Sequence, residues 1–155
     1  MLPYWKRKRK KKVNAAPRPK SKPDLVKKLD KVFSLYIRLR DIMPNGYGKC
    51  ISCGRIKPFA ELDCGHYYSR THMATRWDED NCHIECRGCN RFSADHLIGY
   101  RENLIRKIGS GRMDRLMVMS HSTKHWMDSE LEAMIEHYKQ EVRRLCSEKG
   151  IRTKL

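Results

Sequence analysis

Two stretches decide how this chain folds: Cys50-Ile51-Ser52-Cys53, and downstream Asn81-Cys82-His83-Ile84-Glu85-Cys86-Arg87-Gly88-Cys89-Asn90. Each contains a C-x-x-C pair. A tight turn brings two thiolates toward one ion, and two such pairs complete a tetrahedron. Gly54 after the first pair and Gly88 inside the second offer backbone freedom for those turns. Lys49, Arg55 and Arg87 flank the thiols and favour their deprotonated form. The spacing therefore predicts a structural Zn²⁺ held by Cys50, Cys53, Cys86 and Cys89, with a thiol redox pair as the rival reading. Four protein ligands leave no open position, so this ion is not expected to be catalytic.

The rest of the composition agrees with a small metal-stapled domain. The chain has 155 residues and seven cysteines, an odd number, without a secretory signal, which argues against a disulfide framework. Cys82 and Cys146 are expected to fill core spaces, and Cys64, two residues before His66, to be structural, with a place in a metal site as its alternative. No apolar run is long enough to span a bilayer, so a cytoplasmic setting and no membrane partner are expected.

Lys and Arg total 34 against 18 Asp and Glu, a formal charge of +16. Residues 1–22 carry ten of those cations and no acid, among them Lys6, Arg7, Lys8, Arg9, Lys10, Lys11 and Lys12. Residues 1–23 therefore read as a disordered basic arm for phosphates, with a solubilising tail as the bland alternative. Residues 24–155 read as one zinc-stabilised domain.

Periodicity supplies the helices. One is expected from Asp24, with Leu25, Leu29, Val32, Phe33 and Tyr36 on its apolar face, ending before Pro44. Leu62 to Ser69 reads as a strand, followed by a loop through Asp80. A helix after Cys89 is expected to carry Phe92, His96, Tyr100 and Leu104, and a short one to cover Met113 to Met119. The last runs from about Ser129 to Ser147, capped by Ser129 and Glu132. Its stripe from Leu131 to Leu145 reads as core, with a dimer interface as the alternative.

Between the cysteine pairs lies Leu62-Asp63-Cys64-Gly65-His66-Tyr67. A His on a strand, an Asn 15 residues on and another Asn nine residues beyond it resemble the HNH, or His-Me finger, nuclease motif: His66, Asn81 and Asn90. From about residue 25 to 145, and most of all from Arg76 to Arg101, the chain resembles the NinG (Rap) family of phage recombination proteins. The arrangement is also similar to the phage recombination endonuclease VII, which cuts branched DNA. The resemblance implies a small α+β fold, a ββα-metal core on a four-cysteine zinc knuckle flanked by α-helices. It implies a phage or prophage origin, a bacterial host cytoplasm and host recombination proteins as partners.

The activity implied is metal-dependent hydrolysis of DNA phosphodiesters, with branched DNA preferred. His66 would take the proton from water, and Mg²⁺ or another divalent cation would bridge phosphate and leaving oxygen. Asn90 would be an oxygen ligand to that ion, and Asn81 would pin the loop. Many such nucleases carry Asp or His just before the catalytic His, where this chain has Gly65, so Asp63 becomes the nearest carboxylate for the metal. His83, Asp95 and His96 are lesser candidates. Arg70, Arg76, Arg87 and Arg91 would form a basic rim for DNA. The alternatives are a non-catalytic zinc-finger DNA-binding recombination factor, a restriction or homing HNH enzyme, and a nuclease acting on RNA.

Overall fold

A computed structural model describes residues 21–153. The expected arm, including Lys6 to Lys12, therefore lies outside the described residues, except that Lys22 and Pro23 form the first turn of a helix. This helix, α1, runs from Lys22 to Asp41 and starts two residues earlier than its apolar pattern suggests. Ser21 and Asp24 form a reciprocal cap, with the Ser21 Oγ donating to Asp24 Oδ2 at 2.6 Å. Pro23 fits the first turn, where its missing N–H would have had no helical partner.

A small antiparallel pair follows, β1 (Tyr47–Lys49) and β2 (Ile56–Pro58). The second pair is central: β3 (Leu62–His66) and β4 (Cys82–Cys86) run antiparallel, with Leu62 opposite Cys86 and His66 opposite Cys82. β3 ends at His66 rather than at Ser69. Beyond it the Tyr67 amide donates to the Asn81 carbonyl, and the Asn81 side chain takes both main-chain groups of Tyr68.

The helix expected after Cys89 is two helices. α2 (Arg87–Phe92) closes at Ser93, and α3 (His96–Ile108) begins after Asp95. The periodicity misleads because Phe92, counted on the apolar stripe, is 84 % exposed. α4 spans Ser110–Ser120 and α5 spans Asp128–Lys149. The α5 cap is Met127, whose amide donates to Glu130 Oε2 at 2.7 Å, so Glu130 takes the capping role expected of Glu132. The described residues thus form a small α+β fold with two small antiparallel sheets.

The β3–β4 pair is covered on both sides. On one side α1 and α5 pack along their length, with Phe33 and Tyr36 each 4.9 Å from the ring of Tyr138. The α5 stripe of Leu131, Ile135, Tyr138, Val142 and Leu145 is buried there with Leu29 and Ile37, so it is core. Lys149 at the end of α5 donates to the carbonyls of Leu39, Arg40 and Ile42, satisfying the C-terminus of α1. On the other side Tyr100, Leu104, Met113 and Leu116 make a second cluster with Ile51. Among the described residues no helix is long and apolar enough to cross a membrane.

Candidate functional site

The two C-x-x-C pairs converge. One sulfur from each of Cys50, Cys53, Cys86 and Cys89 lies within 4.8 Å of the others, a set that could hold a metal ion. Cys50 follows β1, and Gly54 closes its turn in the left-handed region at φ 72°, its amide donating to the Cys50 carbonyl. Cys86 ends β4 and Cys89 sits in the first turn of α2. Gly88, expected to free the second turn, is an ordinary helical residue of α2. The Cys86 amide points at the Cys50 sulfur at 3.3 Å, and the Cys53 and Cys86 sulfurs are 3.8 Å apart. Burial raises the Cys53 thiol, but the Arg55 amide and neighbouring donors outweigh it and bring it down to about 7.

A cleft of roughly 530 Å³ runs between α1, β3 and α2. It is lined by Asp63, His66 and Asn90, by Arg38, Arg70 and Arg91, and by Asp30 and Ser34 of α1. Of the three residues expected at the reaction centre, it gathers His66 and Asn90 but not Asn81. His66 Nε2 lies 3.1 Å from the Arg76 carbonyl, which can only accept, so Nε2 carries the proton and Nδ1 of the neutral ring keeps the lone pair. Burial holds the His66 pKa below its ordinary value, which keeps the ring neutral at pH 7.

Asp63 accepts from Asn90 Nδ2 at 3.2 Å and from Arg91 at 2.7 and 2.9 Å. Burial raises its pKa, but the hydrogen bonds and charges of Arg91 and Asn90 win and lower it. Its carboxylate is therefore ionised beside the amide of Asn90. Asn81 is fully buried, with Oδ1 accepting from the Tyr68 amide at 2.8 Å and Nδ2 donating to the Tyr68 and Thr75 carbonyls. It ties the 67–80 loop to β4 and does not line the cleft.

Gly65 has a steric cause. A Cβ there would meet Glu85 Oε2 at 2.5 Å and the Tyr100 ring at 3.2 Å. Position 65 faces α3, away from the cleft, so a ligand at this point of the motif could not reach it.

Among the expected rim residues, Arg70, Arg87 and Arg91 are exposed. Arg76 is not a free clamp. It forms a bidentate pair with Asp30 at 3.0 and 2.5 Å and donates to the Arg70 carbonyl. His83 is 3 % exposed and packed among Asp41, Arg40 and Lys107, and His96 Nδ1 lies 2.7 Å from Oε1 of buried Glu85. Asp95 precedes α3. None of these three lines the cleft.

The family model described as Bacteriophage Lambda NinG protein matches residues 4–148. The chain belongs to the NinG family. Protein ninG of Escherichia phage 933W is 34 % identical over 124 residues, which cover 77 % of this chain and 57 % of that relative. Protein ninG of Salmonella phage P22 gives the same figures, and that of Escherichia phage lambda is 33 % identical, covering 77 % and 56 %. The chain thus spans a little over half the length of these relatives. No solved structure matches.

The cleft of this NinG-family chain also contains residues that its sequence does not single out. Asp30, Ser34 and Arg38 lie at i, i+4 and i+8 of α1, one polar row beside the apolar stripe. Arg38 donates to the Phe59 carbonyl at 2.9 Å and stacks on the Phe59 ring at 4.0 Å. Desolvation lowers its pKa, yet it stays charged.

Proposed function

We propose that this NinG-family chain is a metal-dependent DNA endonuclease of recombination or repair, built as a ββα-metal finger on a four-cysteine zinc knuckle. The observation that supports it is the convergence of a neutral, oriented His66 with Asp63, Asn90 and three arginines in one cleft. In this reading β3, β4 and α2 are the finger.

The four-cysteine set fits zinc. A tetrahedral ion with ~2.3 Å bonds to sulfur requires sulfurs ~3.8 Å apart, and Cys53 and Cys86 stand at 3.8 Å. Asp63 and Asn90 offer hard oxygen donors, which suit Mg²⁺ rather than zinc. When bound, that divalent cation would neutralise phosphoryl charge and stabilise the departing oxygen. Nδ1 of His66 takes a proton from the attacking water while Nε2–H stays on the Arg76 carbonyl, so the ring cannot rotate away. Arg91 balances Asp63 in the structure and must release its oxygens for the ion. Asn90 must turn its amide so that oxygen faces Asp63's side of the cleft. Arg38 and Arg70 hold the phosphate. The substrate is read by shape: the groups that line the cleft suit phosphates rather than base edges, and phosphate contacts carry little sequence information.

The test compares four-way junctions, forks, single strands and linear duplexes, each in two unrelated sequences at fixed salt. Branched DNA is expected to be cut best in both sequences, with His66→Ala inactive and Asn90→Ala partly rescued by excess Mg²⁺. Cleavage by His66→Ala at the wild-type rate overturns the catalytic assignment, and equal cutting of linear duplex overturns selection by shape.

A further inference from the structure

We infer that Cys64, Cys82 and His66 form a second, soft-metal site that takes Zn²⁺-like ions and, when filled, silences the cleft. The inhibitory half rests on the nuclease reading above; the metal-binding half does not.

Strand geometry makes the site. β3 and β4 place His66 opposite Cys82, and Cys64, two residues back on β3, projects from the same face as His66. One ligand atom from each of the three lies within 4.8 Å of the others, a grouping separate from the four-cysteine set. An outer partner is in place as well. The Arg76 carbonyl accepts from His66 Nε2 at 3.1 Å, a contact that survives metal binding at Nδ1, whereas its 3.7 Å contact with the Cys82 thiol needs the S–H proton that the ion displaces. Such second contacts orient ligands and hold a ring in one tautomer.

The donor set selects the ion. Two thiolates and an imidazole suit Zn²⁺, Co²⁺ or Cd²⁺ and are poor ligands for Mg²⁺. On binding, each thiol gives its proton to solvent, and the ion gains two sulfurs and one ring nitrogen. Three protein ligands leave a fourth position for water, so the ion is expected to be held less tightly than in the closed four-cysteine set. Entry is from the cleft, which Cys64 and His66 line, whereas Cys82 is fully buried behind them. An ion here engages the ring that would otherwise accept the water proton. The same cleft therefore answers oppositely to hard ions at Asp63 and Asn90 and to soft ions at the sulfurs.

The experiment uses the full chain with one equivalent of zinc already bound, titrated with Co²⁺ alone while retained zinc is counted by elemental analysis. A second ion per chain is expected, with a thiolate-to-cobalt charge-transfer band and no zinc released. Cys64→Ala should weaken that second event by at least the roughly 10-fold that losing even an outer partner costs. Cys82→Ala should do the same, and Cys64→Ala guards against a folding defect from the buried position. Absence of a second thiolate band, cobalt uptake only by zinc displacement, or an identical titration in Cys64→Ala overturns the site. In parallel, cleavage in Mg²⁺ is measured against added Zn²⁺, each variant normalised to its own rate. Wild type should be inhibited and Cys64→Ala resistant; equal inhibition of both defeats the switch. A cobalt band in a protein that cuts no nucleic acid leaves this site standing and fails the nuclease reading instead.

Discussion

Replacing Gly65 by Ala tests why the position before His66 is bare. The new Cβ would sit 2.5 Å from Glu85 Oε2, 2.9 Å from Glu85 Cβ and 3.2 Å from Tyr100 Cε2. Glu85 cannot retreat cheaply. It is fully buried, and its Oε1 accepts from Ser52 Oγ at 2.5 Å and faces His96 Nδ1 at 2.7 Å. Overpacking a tight core costs about 1–3 kcal/mol, and leaving buried hydrogen-bonding groups under-satisfied costs about 1–3 kcal/mol more. Reduced freedom of the unfolded chain returns about 0.4–1 kcal/mol. The net expectation is a loss of about 1–5.5 kcal/mol, or a melting temperature lower by roughly 4–22 °C for a domain of this size. Circular dichroism melts at fixed zinc measure it. Gly111→Ala, where nothing lies within 4 Å, serves as the matched control and should melt at or slightly above wild type. A Gly65→Ala protein melting within about 2 °C of wild type would show that β3 and β4 are not packed as described.

Cys86→Ser should lose zinc and unfold, because structural metal in a small domain contributes folding energy directly; elemental analysis and far-UV dichroism read both effects, and an unmodified protein purified without zinc contradicts the knuckle. Cleavage at saturating Mg²⁺ should rise with pH and level off with a midpoint below 6.5, because burial lowers the His66 pKa and only the neutral ring accepts a proton; a midpoint above 7 argues for another base. Deleting residues 1–20, short of the Ser21 cap of α1, removes nine cations and should flatten the log–log salt slope of DNA binding by as much as ~8 if all meet duplex phosphates; an unchanged slope makes the segment merely solubilising.

The four cysteines are legible in the sequence because C-x-x-C spacing encodes a turn, and turns are local. The α1 and α5 stripes are legible because a 3.6-residue period survives whatever it packs against. The α2–α3 break is not: Phe92 falls on the helical period yet points to solvent, and periodicity cannot tell an exposed aromatic from a buried one. Arg76 reads as part of a phosphate rim because its partner, Asp30, lies 46 residues away. Asp30, Ser34 and Arg38 are not singled out by the sequence, since polar residues beside an apolar stripe carry no mark of what folds over them. The approach of Cys82 to Cys64 and His66 is hidden too, because it depends on strand register rather than on spacing along the chain.

The β3–β4 pair explains how two unrelated devices serve one cleft. At one end Leu62 pairs with Cys86, and the cysteine set fixes the first turn of α2 against β4. Because Cys89 and Asn90 are consecutive, the same turn that presents a sulfur to the knuckle presents Asn90 to Asp63, 3.2 Å away. At the other end His66 pairs with Cys82, and Asn81 fastens the loop whose Arg76 carbonyl holds the His66 ring. Neither the knuckle nor Asn81 lines the cleft, yet each fixes one group that the proposed reaction uses. Asp63 and His66 are three strand residues apart, a span of about 10 Å at ~3.3 Å per residue. On the way to unfolding, loss of the knuckle metal should therefore misplace Asn90 before His66, since only the α2 end of the hairpin depends directly on the sulfurs.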